Sequence, residues 1–249
     1  MNILITTYHS LGYGGAEIST KLLAEGLQKL GNNVVIATSQ KYDGLNTKLF
    51  RGFKKLPFFG LHELYLSRFL SDLIKKENID VVYSQDRLTS VSGIIAAKEN
   101  KIKSVVHFRD YWFACPYSSC MAPDYFEYDR CDWKIIIRHF KFKRWLWDFY
   151  KLSYLKRARK ILESADLKLA NSSAVKKILE INGIKSNVVV MPVLRDFSKI
   201  NKGNVKKIKE RYNLRKKVIT FIGKLTPPKG IMTMIKIMPD ILNENISFL

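Results

Sequence analysis

The sequence predicts an α/β protein built on a parallel sheet, and three observations support this. Short apolar segments alternate with longer amphipathic ones along most of the 249 residues. A glycine-rich turn, Gly12 to Gly15, separates the first apolar segment from the first amphipathic one. Hydrophobic residues make up 47% of the chain, enough for a full core. Such alternation builds parallel sheets through right-handed crossovers.

The individual elements follow from this alternation. Six strands are predicted at Asn2–Tyr8, Asn33–Thr38, Asp80–Ser84, Ser104–Phe108, Asp166–Ala170 and Asn187–Met191. The helices between them are predicted at Gly15–Leu30, His62–Lys76, Ser90–Asn100, Lys134–Ser164 and Ser173–Asn182. In the first helix, a core-facing stripe is expected at Ile18, Leu22, Leu23, Leu27 and Leu30.

After Pro192 the composition changes, which indicates a domain boundary. Lys199 to Lys217 is basic and poor in apolar residues, as expected of a solvated hinge. We therefore predict an N-terminal domain at 1–196, a basic linker at 197–216 and the start of a second domain at 217–249. That start comprises a strand at Val218–Ile222, a helix at Ile231–Leu242 and a strand opening at Asn245. Such a short unit cannot bury its own faces, so we expect the sequence to be truncated.

Charge and targeting signals limit the function and location. The formal net charge is +21, from 43 Lys and Arg against 22 Asp and Glu. This charge indicates a polyanionic partner: nucleic acid, an anionic membrane surface or a phosphorylated small molecule. The alternative is a generic solvated basic surface without such a partner. Neither a signal peptide nor a long apolar run is visible, so we expect a cytoplasmic protein.

The glycine turn after the first strand predicts an anion site. Free backbone N–H groups at a helix N-terminus face the end of that strand, and glycines allow close approach. The dinucleotide pattern begun by Gly12 and Gly14 fails, however, because Glu17 replaces its third glycine. The second strand ends in Thr38-Ser39-Gln40, without the acidic ribose ligand of nicotinamide enzymes.

Four motifs together resemble glycosyltransferase family 4. They are Gly14-Gly15-Ala16-Glu17, then His107-Phe108-Arg109-Asp110-Tyr111-Trp112-Phe113-Ala114-Cys115-Pro116, then Ala170-Asn171-Ser172-Ser173, and finally Gly223-Lys224-Leu225 with Lys229-Gly230. The resemblance covers essentially the whole chain. It implies the GT-B architecture, in which two Rossmann-like domains face each other, the first holding the acceptor and the second the nucleotide-sugar donor.

The resemblance also implies roles for particular residues. His107 is the expected catalytic residue, with Asp110 orienting its ring or contacting the acceptor; a histidine packed in the core is the alternative. Gly14, Gly15, Lys224 and Lys229 are expected to bind the donor phosphates, although the two lysines also fit a merely solvated loop. Lys224 departs from the arginine usual in the family, and Pro192-Val193-Leu194 departs from its proline-asparagine-glycine.

The resemblance further implies a retaining reaction without a protein nucleophile, a metal or a cofactor. The glutamate pair that holds donor sugar and ribose would lie beyond Leu249, so the fragment alone is expected to be inactive. The spacing of Cys115, Cys120 and Cys131 fits no standard zinc knuckle, which favours structural thiols over a metal site.

The segment Trp133–Lys160 is rich in both aromatic and basic residues. On one continuous helix, Lys134, Arg138 and Lys141 share a side. The opposite side carries Ile136, Phe140, Trp147 and Tyr154. This pattern predicts a helix in the interface of an anionic membrane, where a lipid-linked acceptor would be met. The alternative is that the aromatic residues pack on the domain.

Two other functions stay open. A basic nucleic-acid-binding module is suggested by the charge and by Phe50-Arg51-Gly52-Phe53-Lys54-Lys55, but no recognised nucleic-acid-binding signature occurs, so no nucleic-acid partner is expected. A nucleotide-sugar epimerase or dehydrogenase is disfavoured by Glu17 and by the end of the second strand.

Overall fold

The chain folds into two compact units, Met1–Asp196 and Phe197–Leu249, which we describe separately. The computed structural model describes residues 1–8, 14–50, 59–116, 120–122, 127–194, 203, 205–214, 217–223, 225, 229–241 and 246–249.

The first unit is built on a seven-stranded parallel sheet. Its strands are β1 (Asn2–Thr7), β2 (Asn33–Thr38), β3 (Asn46–Leu49), β4 (Val81–Ser84), β5 (Lys103–Phe108), β6 (Leu167–Ala170) and β7 (Val188–Val190). The order across the sheet is β3-β2-β1-β4-β5-β6-β7, and every neighbouring pair is parallel. The predicted α/β class is therefore confirmed.

Helices connect the strands and cover both faces of the sheet. They are α1 (Gly15–Lys29), α2 (Phe59–Lys76), α3 (Arg87–Glu99), α4 (Trp133–His139), α5 (Trp145–Glu163) and α6 (Ser173–Ile181). Because side chains alternate along a strand, Leu4 packs with residues of α2 and α3 whereas Ile3 and Ile5 pack with α1. A third cluster of buried residues packs α5 and α6 against the half of the sheet formed by β5, β6 and β7.

The six predicted strands are confirmed to within two residues, but β3 was not predicted. Its sequence, Asn46-Thr47-Lys48-Leu49, has neither an apolar run nor clear alternation, and it pairs with β2 at the edge of the sheet. The stripe predicted for α1 is partly wrong, because Ile18 and Leu30 are exposed. The side chains that α1 buries fully are Ser19, Thr20 and Ala24, while Leu23 and Leu27 are partly buried and pack against the core as predicted.

The single helix predicted at Lys134–Ser164 is wrong. Phe140 leaves the helical conformation (φ −118°, ψ 149°), and a short 3-10 helix at Phe142–Arg144 precedes α5. The break is fixed by packing, because Phe140 is buried and its carbonyl accepts a hydrogen bond of 3.0 Å from Trp145 Nε1. Tertiary contacts therefore override a segment whose local sequence contains neither proline nor glycine.

The second unit contains a parallel β-α-β arrangement. Strands β8 (Lys217–Ile219) and β9 (Ile246–Phe248) pair in parallel and flank α8 (Ile231–Ile241) in the sequence, as predicted. The preceding basic segment was predicted to be a solvated hinge, but it contains a helix, α7 (Val205–Arg211). Among the described residues, no helix is both long and apolar enough to cross a membrane.

Candidate functional site

The candidate site lies at the carboxyl ends of β1 and β4, the neighbouring strands from which the strand order runs in opposite directions. Ligands of open parallel sheets bind outside the strand ends at such a switch point. Here the backbone N–H of Tyr8 donates a hydrogen bond of 2.7 Å to Oδ2 of Asp86. Oδ1 of Asp86 accepts from the N–H groups of Leu88 and Thr89 at the start of α3. Asp86 therefore joins the two strand ends and caps α3.

The glycine motif lies where the sequence predicts it, at the N-terminus of α1. Gly14 is the N-cap, in an extended conformation and without a side-chain cap, and Gly15 is the first helical residue. Glu17 lies in the first turn, and its carboxylate approaches Gly14 so closely that a Cβ there would collide with it. A negative charge at this end complements the helix dipole. A phosphate binding at Gly14 and Gly15 would therefore require the Glu17 side chain to turn away.

His107 lies near the end of β5 and faces the β4 strand. Its side chain is 1% exposed, and its Nδ1 lies 2.6 Å from the hydroxyl oxygen of Tyr83. Burial, and after it the positive charge of Arg109, lowers the pKa of His107 to about 4, although the backbone of Met191 acts in the opposite direction. The imidazole is therefore neutral at pH 7, as a hydrogen-bonding group without fixed charge must be.

The hydrogen-bonding neighbours of Tyr83 define the tautomer of this imidazole. The Arg109 guanidinium is a side-chain hydrogen-bonding neighbour of the Tyr83 hydroxyl, and burial keeps that hydroxyl protonated by raising its pKa. A guanidinium can only donate, so we assign the Tyr83 proton to the bond with Nδ1. The ring then carries its own proton on Nε2, a buried atom that makes no hydrogen bond of ordinary geometry with a described residue, although hydrogen bonding by the Met191 backbone favours protonation of the ring. A substrate that accepts from Nε2 would therefore compete with this backbone group.

Arg109 is a residue that sequence reasoning missed as a member of the site. Its Nη1 donates to Ser19 Oγ at 2.7 Å and to the Ala16 carbonyl at 3.2 Å. These bonds join the end of β5 to the first turns of α1. The available signal was its position directly after the strand, at the carboxyl edge of a parallel sheet. Arg109 positions the glycine-bearing end of α1 relative to His107.

Asp110 is exposed at the same edge of the sheet. Its Oδ1 accepts a hydrogen bond of 2.9 Å from the backbone N–H of Trp112 and so begins the turn that follows β5. The contact on the Nδ1 side of His107 comes from Tyr83, so the expectation that Asp110 orients the ring finds no support in this geometry. An exposed carboxylate at this edge still fits the other predicted role, a contact with the acceptor.

The Asn171 motif connects the next strand to this edge. The Asn171 side-chain amide donates a hydrogen bond of 2.9 Å to the carbonyl of Arg109, and its backbone N–H donates to the carbonyl of Phe108. Ser172 caps α6 through its hydroxyl, which accepts from the N–H of Val175. These residues therefore hold the carboxyl ends of β5 and β6 together.

The three thiols occupy one buried cluster. Cys115, Cys120 and Cys131 all belong to the core beside α5, and Cys115 Sγ lies 2.6 Å from the Tyr128 hydroxyl. Burial, followed by the neighbouring Cys115, raises the pKa of Cys120 to about 12, so this sulfur stays protonated. Within the described ranges, no group of three or more His, Cys, Asp or Glu side chains is arranged to hold a metal ion.

The predicted membrane segment has a different form from the one expected. Ile136, Phe140 and Tyr154 are buried in the core, which is the alternative considered above. Lys134, Arg138 and Lys141 are exposed, as predicted. Other apolar side chains are exposed beside them, Phe142 by 76% and Leu146 by 89%. We define the aromatic-basic surface as Trp133, Ile137, Phe142, Leu146 and Trp147 together with Lys134, Arg138, Lys141, Lys143 and Arg144.

The predicted phosphate-binding lysines belong to the second unit. Lys229 is exposed, and Gly230, with φ of +79°, leads directly into α8. Lys224 lies outside the described residues, as does the stretch from Arg51 to Lys55 that suggested nucleic-acid binding.

Comparison with known proteins supports a common fold class. The model of glycosyltransferase family 4 matches residues 13–196. HepE from Anabaena, solved in complex with UDP-glucose, has a TM-score of 0.66 at 17% identity, over 100% of this chain and 59% of that chain. A glycosyltransferase from Rickettsia africae has a TM-score of 0.61 at 17% identity, over 100% of this chain and 67% of that one.

A third solved structure, the lipopolysaccharide outer core galactosyltransferase WaaB, has a TM-score of 0.59 at 12% identity, over 100% of this chain and 60% of that one. At these identities the likeness shows the fold alone, and it confirms the GT-B expectation. No curated protein matches the chain by sequence. The chain spans less than two thirds of the length of HepE.

Proposed function

This chain belongs to glycosyltransferase family 4, and from that membership we propose that it transfers a sugar from a nucleotide-sugar donor to a glycan or lipid-linked acceptor. The match over residues 13–196 carries the proposal. The fold shared with HepE, which was solved with UDP-glucose, supports a donor of the same chemical class. The transfer proceeds with retention at the anomeric carbon and serves the synthesis of a cell-surface polysaccharide or glycolipid.

The leaving group sets the electrostatic requirement of this reaction. As the bond to the sugar breaks, negative charge develops on the nucleoside diphosphate, and cations or oriented N–H groups must stabilise it. Lys224 and Lys229 supply the cations, and the N–H groups that follow Gly14 and Gly15 supply the dipoles. Since fixed cations do this work, the reaction requires neither a metal nor a cofactor.

His107 acts as a neutral hydrogen-bond donor to the transferring sugar. Its assigned Nε2 proton and its pKa of about 4 support this role, because an uncharged donor can contact a hydroxyl without disturbing the oxocarbenium character of the reacting carbon. Since Nε2 is buried, its contact with substrate requires local opening of the surrounding residues. Asp110, exposed at the same edge, contacts the acceptor.

The aromatic-basic surface holds the enzyme peripherally on the inner face of the membrane. Exposed Phe142 and Leu146 supply apolar area for the interface. The surrounding Lys and Arg residues supply attraction to anionic headgroups, each contributing up to about 1 kcal/mol. A surface-bound cytoplasmic enzyme of this kind would meet a lipid-linked acceptor directly.

Sugar transfer is tested with the protein in its full genomic reading frame. Radiolabelled UDP-sugars and GDP-sugars are offered with a solubilised lipid extract, and label entering the lipid or glycan fraction is counted. Nuclear magnetic resonance of the product then reports whether the anomeric configuration is retained. We expect transfer from at least one donor.

Other outcomes of the assay would favour the rival functions. Saturable binding of a nicotinamide dinucleotide without sugar transfer would favour an epimerase or dehydrogenase. Steeply salt-dependent binding to duplex or single-stranded nucleic acid, again without transfer, would favour a nucleic-acid module.

A further inference from the structure

A basic groove runs along α5 in the first unit, and none of the residues assigned above to sugar transfer lines it. It consists of two adjoining cavities of about 520 Å³ and about 370 Å³. Both cavities are lined by Arg130, Lys156 and Arg159, and the smaller one also by Lys160. Four cationic side chains thus surround one groove.

Four cationic side chains face two carboxylates in this groove, so it carries a net positive charge. None of these cations forms an ion pair with a described residue. Two acidic residues line the groove, but both bind backbone N–H groups. Asp132 Oδ1 accepts from Ile135 N–H at the start of α4. The two carboxylate oxygens of Glu163 accept from the N–H groups of Lys185 and Ser186.

Arg159 gives the groove a fixed, buried positive charge. Its side chain is only 8% exposed, and Nε and Nη2 donate to the carbonyls of Phe113 and Ala114 at 2.7 and 3.0 Å. Burial, and after it the nearby charge of Arg130, lowers the pKa of Arg159 to about 10. Taking a charge out of water beside another of the same sign is costly, and a bound anion would offset that cost.

The neighbouring thiols do not balance this charge. Burial raises the pKa of Cys120, and a hydrogen bond with Cys115, followed by burial, raises that of Cys131, so these sulfurs remain protonated near pH 7. Nε and Nη2 of Arg159 are used by the two carbonyls, which leaves Nη1 as a rigidly held donor for a phosphate oxygen, with the exposed cations around it.

The larger cavity has an apolar wall as well. Trp133, Phe149 and Leu152 line it next to the cations, and Trp133 also belongs to the aromatic-basic surface. A phosphate alone would leave this wall in contact with water, whereas a phosphate attached to a hydrocarbon chain would cover it.

We propose that this basic groove binds the phosphate group of a phosphorylated amphiphile, with the hydrocarbon chain lying against Trp133, Phe149 and Leu152. Because such an amphiphile is one kind of lipid-linked acceptor, the inference deepens the proposed function and rests on it. The site needs no donor to be occupied, so binding without donor tests it separately from sugar transfer.

The test compares two probes with the same head group, octyl phosphate below its micellar concentration and inorganic phosphate. Calorimetry on the whole chain measures both affinities. We expect saturable binding of octyl phosphate and at least about tenfold weaker binding of inorganic phosphate, because burial of each methylene contributes to affinity. Tryptophan fluorescence should change on binding, and the change should shrink in Trp133→Phe.

Charge variants locate the site. Arg130, Lys156 and Lys160 are exposed, so their joint replacement by glutamine should leave the fold intact while weakening octyl phosphate binding about tenfold or more. The matched control replaces Lys29, Lys75 and Lys98, exposed lysines of α1, α2 and α3, by glutamine and should bind as the parent chain does. Circular dichroism and thermal melting check that both variants fold.

Three results would overturn the proposal. They are equal affinity for the two phosphates, equal weakening in the control variant, and no saturable binding of octyl phosphate. If binding fails while sugar transfer by the full reading frame succeeds, the groove proposal alone falls. If binding succeeds and transfer fails, the proposed function falls and the groove remains a phosphate-binding site.

Discussion

The Tyr83 hydroxyl contacts Nδ1 of His107 at 2.6 Å across neighbouring strands, inside a region closed to solvent. This contact fixes which ring nitrogen can face a substrate, and it couples the ring to Arg109 through the same hydroxyl. The pKa of His107 and the hydrogen bonding of its ring therefore both depend on Tyr83 and Arg109.

Stability should fall with acid because of His107. Its pKa in the folded chain is about 4, against 6.5 in an ordinary histidine, so the unfolded chain binds the proton more readily between these values. Stability is thus complete above pH 6.5 and decreases as the pH drops toward 4, by about 3 kcal/mol in total. Urea unfolding of the first unit between pH 4 and 7 measures this slope. His107→Gln should flatten it, and an unchanged slope in that variant would contradict the assignment.

Removing the His107 ring should slow sugar transfer by the full reading frame. If Nε2 donates to the transferring sugar, His107→Ala lowers kcat by roughly tenfold to a thousandfold. Tyr83→Phe is the companion variant, because it keeps the ring but removes the proton held against Nδ1, and we expect a smaller loss of kcat. Circular dichroism controls for folding. Unchanged kcat in His107→Ala would leave this histidine as a core residue.

Arg109→Met should raise the pKa of His107, because a cation that disfavours the imidazolium is removed. The same change breaks the bonds to Ser19 Oγ and the Ala16 carbonyl, so stability should fall by about 1–3 kcal/mol. Ring-proton titration by nuclear magnetic resonance gives the first quantity and urea unfolding the second. Ser19→Ala is the control, since it removes one bond and keeps the charge. A pKa that rises equally in both variants would speak against the charge effect.

Lys224→Ala and Lys229→Ala should weaken binding of a nucleoside diphosphate to the full reading frame. Charge-assisted contacts shielded from water would be worth about 1.5–3 kcal/mol each. Calorimetry with UDP and GDP measures the loss. Lys236→Ala, on α8 of the same unit, is a control for overall charge. Unchanged affinity in both variants would leave these lysines as solvated residues of a basic loop.

Membrane binding should need both the charge and the apolar residues of the aromatic-basic surface. Co-sedimentation with vesicles should require anionic lipid, weaken as salt rises, and decrease when Lys134, Arg138 and Lys141 are replaced by glutamate. Phe142→Ser with Leu146→Ser should reduce binding with no change of charge. Glutamate at Lys29, Lys75 and Lys98 is the charge-matched control. If the protein binds neutral and anionic vesicles equally, or binds neither kind, the aromatic-basic surface is an ordinary solvated surface.

The sequence predicted the sheet well because each central strand contains a short apolar run, such as Ile3-Leu4-Ile5 in β1 and Val81-Val82-Tyr83 in β4. Strand β3 was not predicted because an edge strand needs no apolar pattern, and Asn46-Thr47-Lys48-Leu49 has none. The break between α4 and α5 was not predicted because it depends on a tertiary contact. This contact is the hydrogen bond from Trp145 to the Phe140 carbonyl, which forms only when the chain folds. Local patterns report propensity, whereas such contacts report tertiary packing.

The sequence predicted where the candidate site lies better than it predicted the contacts within the site. The glycine turn and His107 were found because both lie at the carboxyl ends of predicted strands. The contribution of Arg109 was not found, since nothing in the sequence shows that its guanidinium reaches Ser19 and Tyr83. Of the apolar residues predicted to face the membrane, Trp147 is exposed but Ile136, Phe140 and Tyr154 are buried, because one continuous helix was assumed where the chain breaks.

The order of the strands has a consequence for how the chain folds as it is synthesised. Strand β1 leaves the ribosome first, and every later strand of the first unit pairs with one already made: β2 with β1, β3 with β2, β4 with β1, and then β5, β6 and β7 each with its predecessor. Domains generally fold from the N-terminus during synthesis. No strand of this sheet has to wait for a partner still inside the ribosome, so the sheet can grow outward from β1 at the pace of translation.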